Sequence, residues 1–261
     1  MMKELKKWLQ TRGKAIFSIA VSLLLTTCGN QDDANCVPFA SGSYDKYEFP
    51  IKPGMPEWEA FTTAQQMMDA CQVPEATLEQ MTTQGLVETC LDYPLLGDML
   101  AYTNIQMGTE RQMENFNGFL ELQTRADAAG LMLGRFEMME PDCFPNGGDL
   151  AIGQYGLEFI EIGMLLSQDV FIGQLEPAVR RKLLNEALKK YDLFLRDQEH
   201  YGILNLKVAA FTMAKVMLVE AYLPFEEEVA QNEAMALFVA EEDIKNDVEI
   251  LNTIIEYATN F

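Results

Sequence analysis

The stretch from Ile203 to Tyr222 is apolar nearly all round, broken mainly by Lys207, Lys215 and Glu220. A helix without a polar face has to be covered on every side, so the chain must wrap other elements around it. The same stretch resembles a membrane span in composition, but two lysines inside it would be costly in lipid. The segments beside it are helical too. Pro177 starts a helix with Val179, Leu183, Leu184, Ala187, Leu188, Tyr191 and Phe194 along one side. Arg180, Arg181, Glu186, Lys189 and Lys190 populate the rest of its surface. Pro224 opens a further helix, and Ile244, Val248, Leu251 and Ile255 mark the last one.

The first half reads the same way with shorter pieces. Thr62 with Gln65, or Thr63 with Gln66, is a capping-box pattern opening a helix to about Cys71. Pro74 begins a short helix to Met81, and Thr82 or Thr83 caps the next, with Leu86, Val87, Cys90 and Leu91 at helical spacing until Pro94. Residues 95–122 continue helical, with Gly108 and Gly118 the positions that allow a break. Thr124-Arg-Ala-Asp127 is a second capping box before a helix to about Met139, and 141–149 is the clearest loop. No alternating polar and apolar run is long enough for a strand. The fold class is therefore all-α, a multi-helix bundle or an irregular helix-pair superhelix.

The N-terminus directs location. Lys3, Lys6, Lys7, Arg12 and Lys14 lead into Ala15-Ile-Phe-Ser-Ile-Ala-Val-Ser-Leu-Leu-Leu25, and then Thr26, Thr27, Cys28 and Gly29. The apolar run is far shorter than the roughly 20 residues of a spanning helix, and the layout is that of a secretory signal. Leu25-Thr26-Thr27-Cys28 resembles the lipobox of Bacteroides-type lipoproteins, with Thr27 where that family has Gly, Ala or Ser. The resemblance implies lipidation of Cys28 and an outer-membrane lipoprotein of the cell envelope, periplasmic or surface-exposed. Gly29-Asn-Gln-Asp-Asp33 is similar to the surface-export signal of such proteins. Farther on, Ala70-Cys-Gln-Val-Pro74, Cys90-Leu-Asp-Tyr-Pro-Leu95 and Asn115-Phe-Asn-Gly118 look like a pattern in uncharacterised exported proteins of those bacteria, which implies no activity. The domain reading is a signal peptide over 1–27, lipid attachment and a flexible linker over 28–56, and one helical domain over 57–261 or two halves divided near 141–149.

Charge and cysteines narrow the partners. The chain carries a formal charge of −21, and loss of residues 1–27, with five basic side chains and one acidic, moves it to −25. Such a surface repels nucleic acid, so none is expected as a partner, and the membrane is met only through the lipid anchor. Besides Cys28 there are Cys36, Cys71, Cys90 and Cys143, which allow two disulfides in an exported protein or four buried thiols.

Chemistry-bearing patterns are sparse. His200 is the only histidine, which excludes sites built on two imidazoles, and it is expected at a helix end against the carbonyl dipole. A pairing of His200 with Cys71, Cys90 or Cys143 has no local signature. Asp142, Asn146 and Asp149 offer oxygen ligands but do not match a calcium loop. Glu158 and Glu161 are i, i+3 neighbours that would serve as an acid/base pair in a cleft, yet among so many acidic residues a solvated face is the expectation. The methionines, among them Met67, Met68, Met138, Met139, Met213 and Met217, are expected as core filler. No cofactor, metal or catalytic set is assigned. The leading expectation is a lipid-anchored binding or protein-interaction module with a protein or cell-envelope ligand. The alternative is a carboxylate-based hydrolase on the same scaffold, and a purely structural envelope protein is the third.

Overall fold

Caps and prolines decide where the helices start. In this computed structural model the described residues are 45–143, 148–243 and 248–261, and Cys28 and Cys36 lie outside them. Pro56 sits in the first turn of α1 (Pro56–Glu59). Of the two capping boxes possible at 62–66, Thr63 with Gln66 forms and opens α2 (Ala64–Ala70). Pro74 stands just ahead of the single turn α3 (Glu75–Leu78). The Thr82 hydroxyl accepts the Gly85 N–H at 3.1 Å and starts α4 (Thr83–Leu91). Among the described residues no strand occurs, and the fold is all-α with many helices.

Residues 45–52, within the stretch read as linker, lie against α4. The Asp45 carboxylate accepts from the Thr82 N–H at 2.7 Å, the Tyr47 N–H donates to Thr89 Oγ1 at 2.9 Å, and Lys46 and Lys52 both reach Asp92. Phe49 is buried beside Tyr93 and Phe116, whose rings stack 4.2 Å apart.

Beyond α4 a 3₁₀ helix (Leu96–Ala101) leads to α5 (Ile105–Asn115) and α6 (Asn117–Leu122). Gly108 and Gly118, the positions that allow a break, both lie inside helices. At Gly108 the 3₁₀ helix passes so close that a Cβ would come within 2.1 Å of the Met99 carbonyl oxygen. The chain turns instead at Phe116, whose backbone is extended (φ −110°, ψ 121°). The second capping box does not form either. Thr124 donates to the Glu121 carbonyl at 2.7 Å, closing α6, and α7 (Ala128–Met138) begins without a side-chain cap.

The second half is built on long helices: α8 (Asp149–Leu166), the turn α9 (Asp169–Ile172), α10 (Pro177–Arg196) and α11 (Gln198–Val219). α12 (Leu223–Gln231), α13 (Glu233–Glu241) and α14 (Glu249–Asn260) follow. α11 is the all-apolar helix. Gly202, at φ 64°, kinks its first turn away from the rest. It packs against α8, α10, α12, α13 and α14, which cover it as its composition requires. By length and composition it would cross a membrane, but here Phe211, Met213, Val216 and Met217 are buried in the domain. Lys207 and Lys215 leave its sides toward Glu242 (3.1 Å) and Asp169 (2.7 Å).

Two faces differ from expectation. Lys190 is not on the outer surface of α10 but fully buried, because 183, 187, 190 and 194 share one stripe. Its ammonium pairs with Glu186 and lies 4.5 Å from the centre of the Phe136 ring. On α14 the buried stripe is Ile250, Leu251, Ile254 and Ala258, while Val248 precedes the helix and is exposed. Ile244 lies outside the described residues.

Candidate functional site

α4, α7 and α8 pack on one another and leave a pocket of about 120 Å³ where they meet. α4 brings Glu88 and, just past its end, Asp92. α7 brings Arg135, and α8 brings Glu158 and Glu161. Lys46 from the docked N-terminal segment stands at the rim. Leu91, Met139 and Ile162 supply apolar wall.

The two α8 carboxylates are brought together as an i, i+3 pair, but not on a solvated face. Glu158 keeps about half of its side chain exposed (47%) at the mouth, while Glu161 is only 7% exposed. From Phe159 to Leu166 every residue of α8 is buried, so Glu161 opens only onto the pocket and not onto an outer face of the helix.

The charges are unevenly matched. Arg135 lies 3.2 Å from Glu158 and 4.0 Å from Glu88, and Gln84 donates to Glu88 at 3.2 Å. Lys46 and Lys52 take Asp92 at 3.3 and 3.2 Å. Of the four lining carboxyls, Glu161 alone has no hydrogen-bond or ion-pair partner among the described residues. Its carboxyl is pushed up to about 8, first by burial and then by the charge of Glu158. Burial also raises Glu88 and Glu158, with Arg135 opposing the rise at both. The Glu161 carboxyl is therefore largely protonated at neutral pH and ionises readily when a positive charge arrives.

The other residues singled out in the sequence stay apart from this pocket. His200 lies in the first turn of α11, at the start of a helix rather than against its terminal carbonyls, with Nδ1 2.8 Å from Asp197. Cys71 and Cys90 are buried free thiols, not bridged to each other. Burial raises Cys71 to about 11 and Cys90 well above its usual value, which removes them as nucleophiles. Cys143 is disulfide-bonded, so the four cysteines are not all buried thiols, and its partner lies outside the described residues. Asp149 opens α8, and Asn146 lies outside the described residues. Among the described residues no three His, Cys, Asp or Glu side chains converge to hold a metal ion.

Met139, Met213 and Met217 fill the core, whereas Met138 is exposed. Met67 and Met68 are half-buried and line an open groove of about 440 Å³ with Leu95 and Tyr102. A larger open groove, about 810 Å³, runs along α12 and α13 past Glu228 and Glu233.

Sequence reading missed Glu88 and Arg135 as members of the site, yet a signal was there. Glu88, Arg135 and Glu161 are each a single charge inside an otherwise apolar helical run: Leu86-Val-Glu-Thr-Cys-Leu91, Leu131-Met-Leu-Gly-Arg-Phe136 and Phe159-Ile-Glu-Ile-Gly-Met164. Isolated charges of opposite sign on apolar faces are candidates for meeting one another. No protein-family model matches the chain, and neither a curated protein nor a solved structure matches it.

Proposed function

We propose that this chain is a lipid-anchored protein of the cell envelope, held through Cys28, whose helical domain is a binding module with its ligand site in the α4–α7–α8 pocket. The observation that carries the site is Glu161, a buried carboxyl without a partner among the described residues, lining a cavity. Buried polar groups are nearly always satisfied, so an unsatisfied one at a cavity wall marks a place for a ligand group. The basic and apolar leader before Cys28 supports export and anchoring.

Size favours binding over hydrolysis. A cavity of about 120 Å³ has the volume of about four waters at ~30 Å³ each. A glycosidase sets its carboxyls on either side of a sugar in an open cleft, and among the described residues no aromatic side chain lines this pocket. One observation favours the hydrolase as a second reading. Glu161 is held mostly neutral at pH 7 beside Glu158, whose rise Arg135 opposes from 3.2 Å, and such unequal surroundings for two neighbouring carboxyls are a mark of an acid/base pair.

Two measurements test the proposal. Intact mass of the protein from a membrane fraction should equal residues 28–261 plus acyl groups, and a bare mass with cleavage elsewhere would overturn the anchor. A thermal-shift screen of cationic, neutral and anionic small molecules against wild type and Glu161→Gln should find stabilisers that need Glu161. Turnover of a small ester, amide or glycoside that Glu161→Gln abolishes would replace the binding module with the hydrolase.

A further inference from the structure

Resting on that reading of the pocket, we infer that its ligand is a small primary alkylammonium ion, with its charged head on Glu161 and its chain along Leu91, Met139 and Ile162. Charge selects the sign. Lys46 and Lys52 are matched by Asp92 and by Glu48, each lysine lying 3.6 Å from the latter. That leaves Glu88, Glu158 and Glu161 around the single guanidinium of Arg135. An anion would enter an excess of carboxylates, and a neutral donor would leave that excess uncompensated. A cation that ionises Glu161 and pairs with it leaves that excess no larger and gives the inner carboxyl the partner it lacks.

Chemistry selects the head group. An ammonium is a compact charge with three donors, suited to the two oxygens of one carboxyl without a planar fork to accommodate. No convergent set of metal donors exists among the described residues, and three of the lining side chains are aliphatic or thioether. The volume admits an ammonium with about three or four carbons.

Binding must then move a proton. The neutral Glu161 carboxyl loses its proton to the buffer as the ammonium arrives, and the carboxylate formed pairs with the ammonium. The charged groups lining the pocket with Glu161 are Glu88 and Asp92 from α4, Arg135 from α7, Glu158 from α8 itself and Lys46 from the N-terminal segment; the 3₁₀ helix, which also packs on α8, brings Gly97 up to the Glu161 carboxyl and carries Asp98 beside it, and no lining residue comes from α5 or α11. With the Glu161 carboxyl at about 8, affinity should tighten close to tenfold per pH unit up to about 8 and level above it. An alkylammonium keeps its own charge throughout, as lysine does with its pKa of about 10.4.

The test is calorimetric titration of the full-length protein with n-propylammonium chloride, in phosphate and in HEPES, neither of which is a primary amine. The expected result is binding that releases close to one proton at pH 7 and tightens about tenfold from pH 6 to 7. Glu161→Gln should weaken it at least tenfold while keeping its helical circular dichroism. Leu91→Trp, which fills the wall and keeps Glu161, should weaken it as well. Propionamide binding as tightly as propylammonium would overturn the ammonium inference and leave the pocket as a ligand site. Failure of propylammonium, propionamide and propionate alike would overturn both.

Discussion

Glu161→Gln should make the protein more stable, and by an amount that grows with pH. Glutamine keeps the shape of a neutral glutamic acid and cannot ionise. In the folded chain the Glu161 carboxyl titrates near 8, against an ordinary 4.5. Between those values the folded state holds a proton that the unfolded state has released, so stability falls as pH rises across that window. Below 4.5 both states are protonated and nothing is lost. Each unit within the window is about 1.4 kcal/mol. Between pH 5 and 8 the stability gap between variant and wild type should therefore widen by on the order of 3–4 kcal/mol. The side chain is over nine-tenths buried, so solvent screening reduces this little. Glu242, a second buried carboxyl raised to about 7, titrates in both proteins and drops out of the difference. Urea unfolding of both proteins at half-unit pH steps measures the gap. A gap that stays level within about 0.5 kcal/mol from pH 5 to 8 would refute the claim that this carboxyl is buried without a partner.

Three further outcomes follow from the packing. Glu186→Ala strands the buried Lys190 ammonium and should cost about 3 kcal/mol, and adding Lys190→Met should recover most of it, since an apolar replacement of a buried pair is close to neutral; simple additivity in urea unfolding would contradict this. Gly108→Ala should cost about 2 kcal/mol through overpacking against the Met99 carbonyl. Gly134→Ala, with open space around its Cβ in the middle of α7, should gain about 0.5–1 kcal/mol, and equal effects on Tm would refute the contrast. Cys71 and Cys90 should stay unreactive toward a thiol reagent such as DTNB in the native protein and react only after denaturation; labelling within minutes of mixing would show that they are not sealed in the core.

Much of the fold was legible because it rests on local chemistry. Thr63, Thr82 and Pro177 begin helices where their side chains or ring geometry allow, and the all-apolar run after Gly202 can only be a covered helix. What escaped sequence reading depends on distant partners. Gly108 looks like a helix breaker until the Met99 carbonyl is seen against it. Thr124 looks like a cap until its hydroxyl is seen closing the preceding helix on Glu121. Lys190 looks exposed until Glu186 and the Phe136 ring are in place to receive its charge.

Glu158 and Glu161 show how narrow the margin is for the site itself. Residues three apart on a helix of 3.6 residues per turn differ by about 60° around its axis. On a half-buried helix that offset leaves both at the solvent edge, which is the reading their spacing suggests. Here α8 is enclosed by α4 and α7 on one side and by α11 on the other, so the same 60° carries one carboxyl to the mouth of a pocket and the other inside it. Arg135 then reaches the outer carboxyl at 3.2 Å and leaves the inner one alone. Glu161 therefore owes its proton affinity to the enclosure of its helix rather than to a neighbour in sequence. A variant that loosens the α4–α7–α8 junction without touching Glu161 should lower that affinity as surely as a change at Glu158. Leu91→Ala, which trims the wall on the α4 side, is the direct case. Its stability should decline less steeply than wild type between pH 5 and 8, and an unchanged slope would assign the shift to Glu158 instead of to burial.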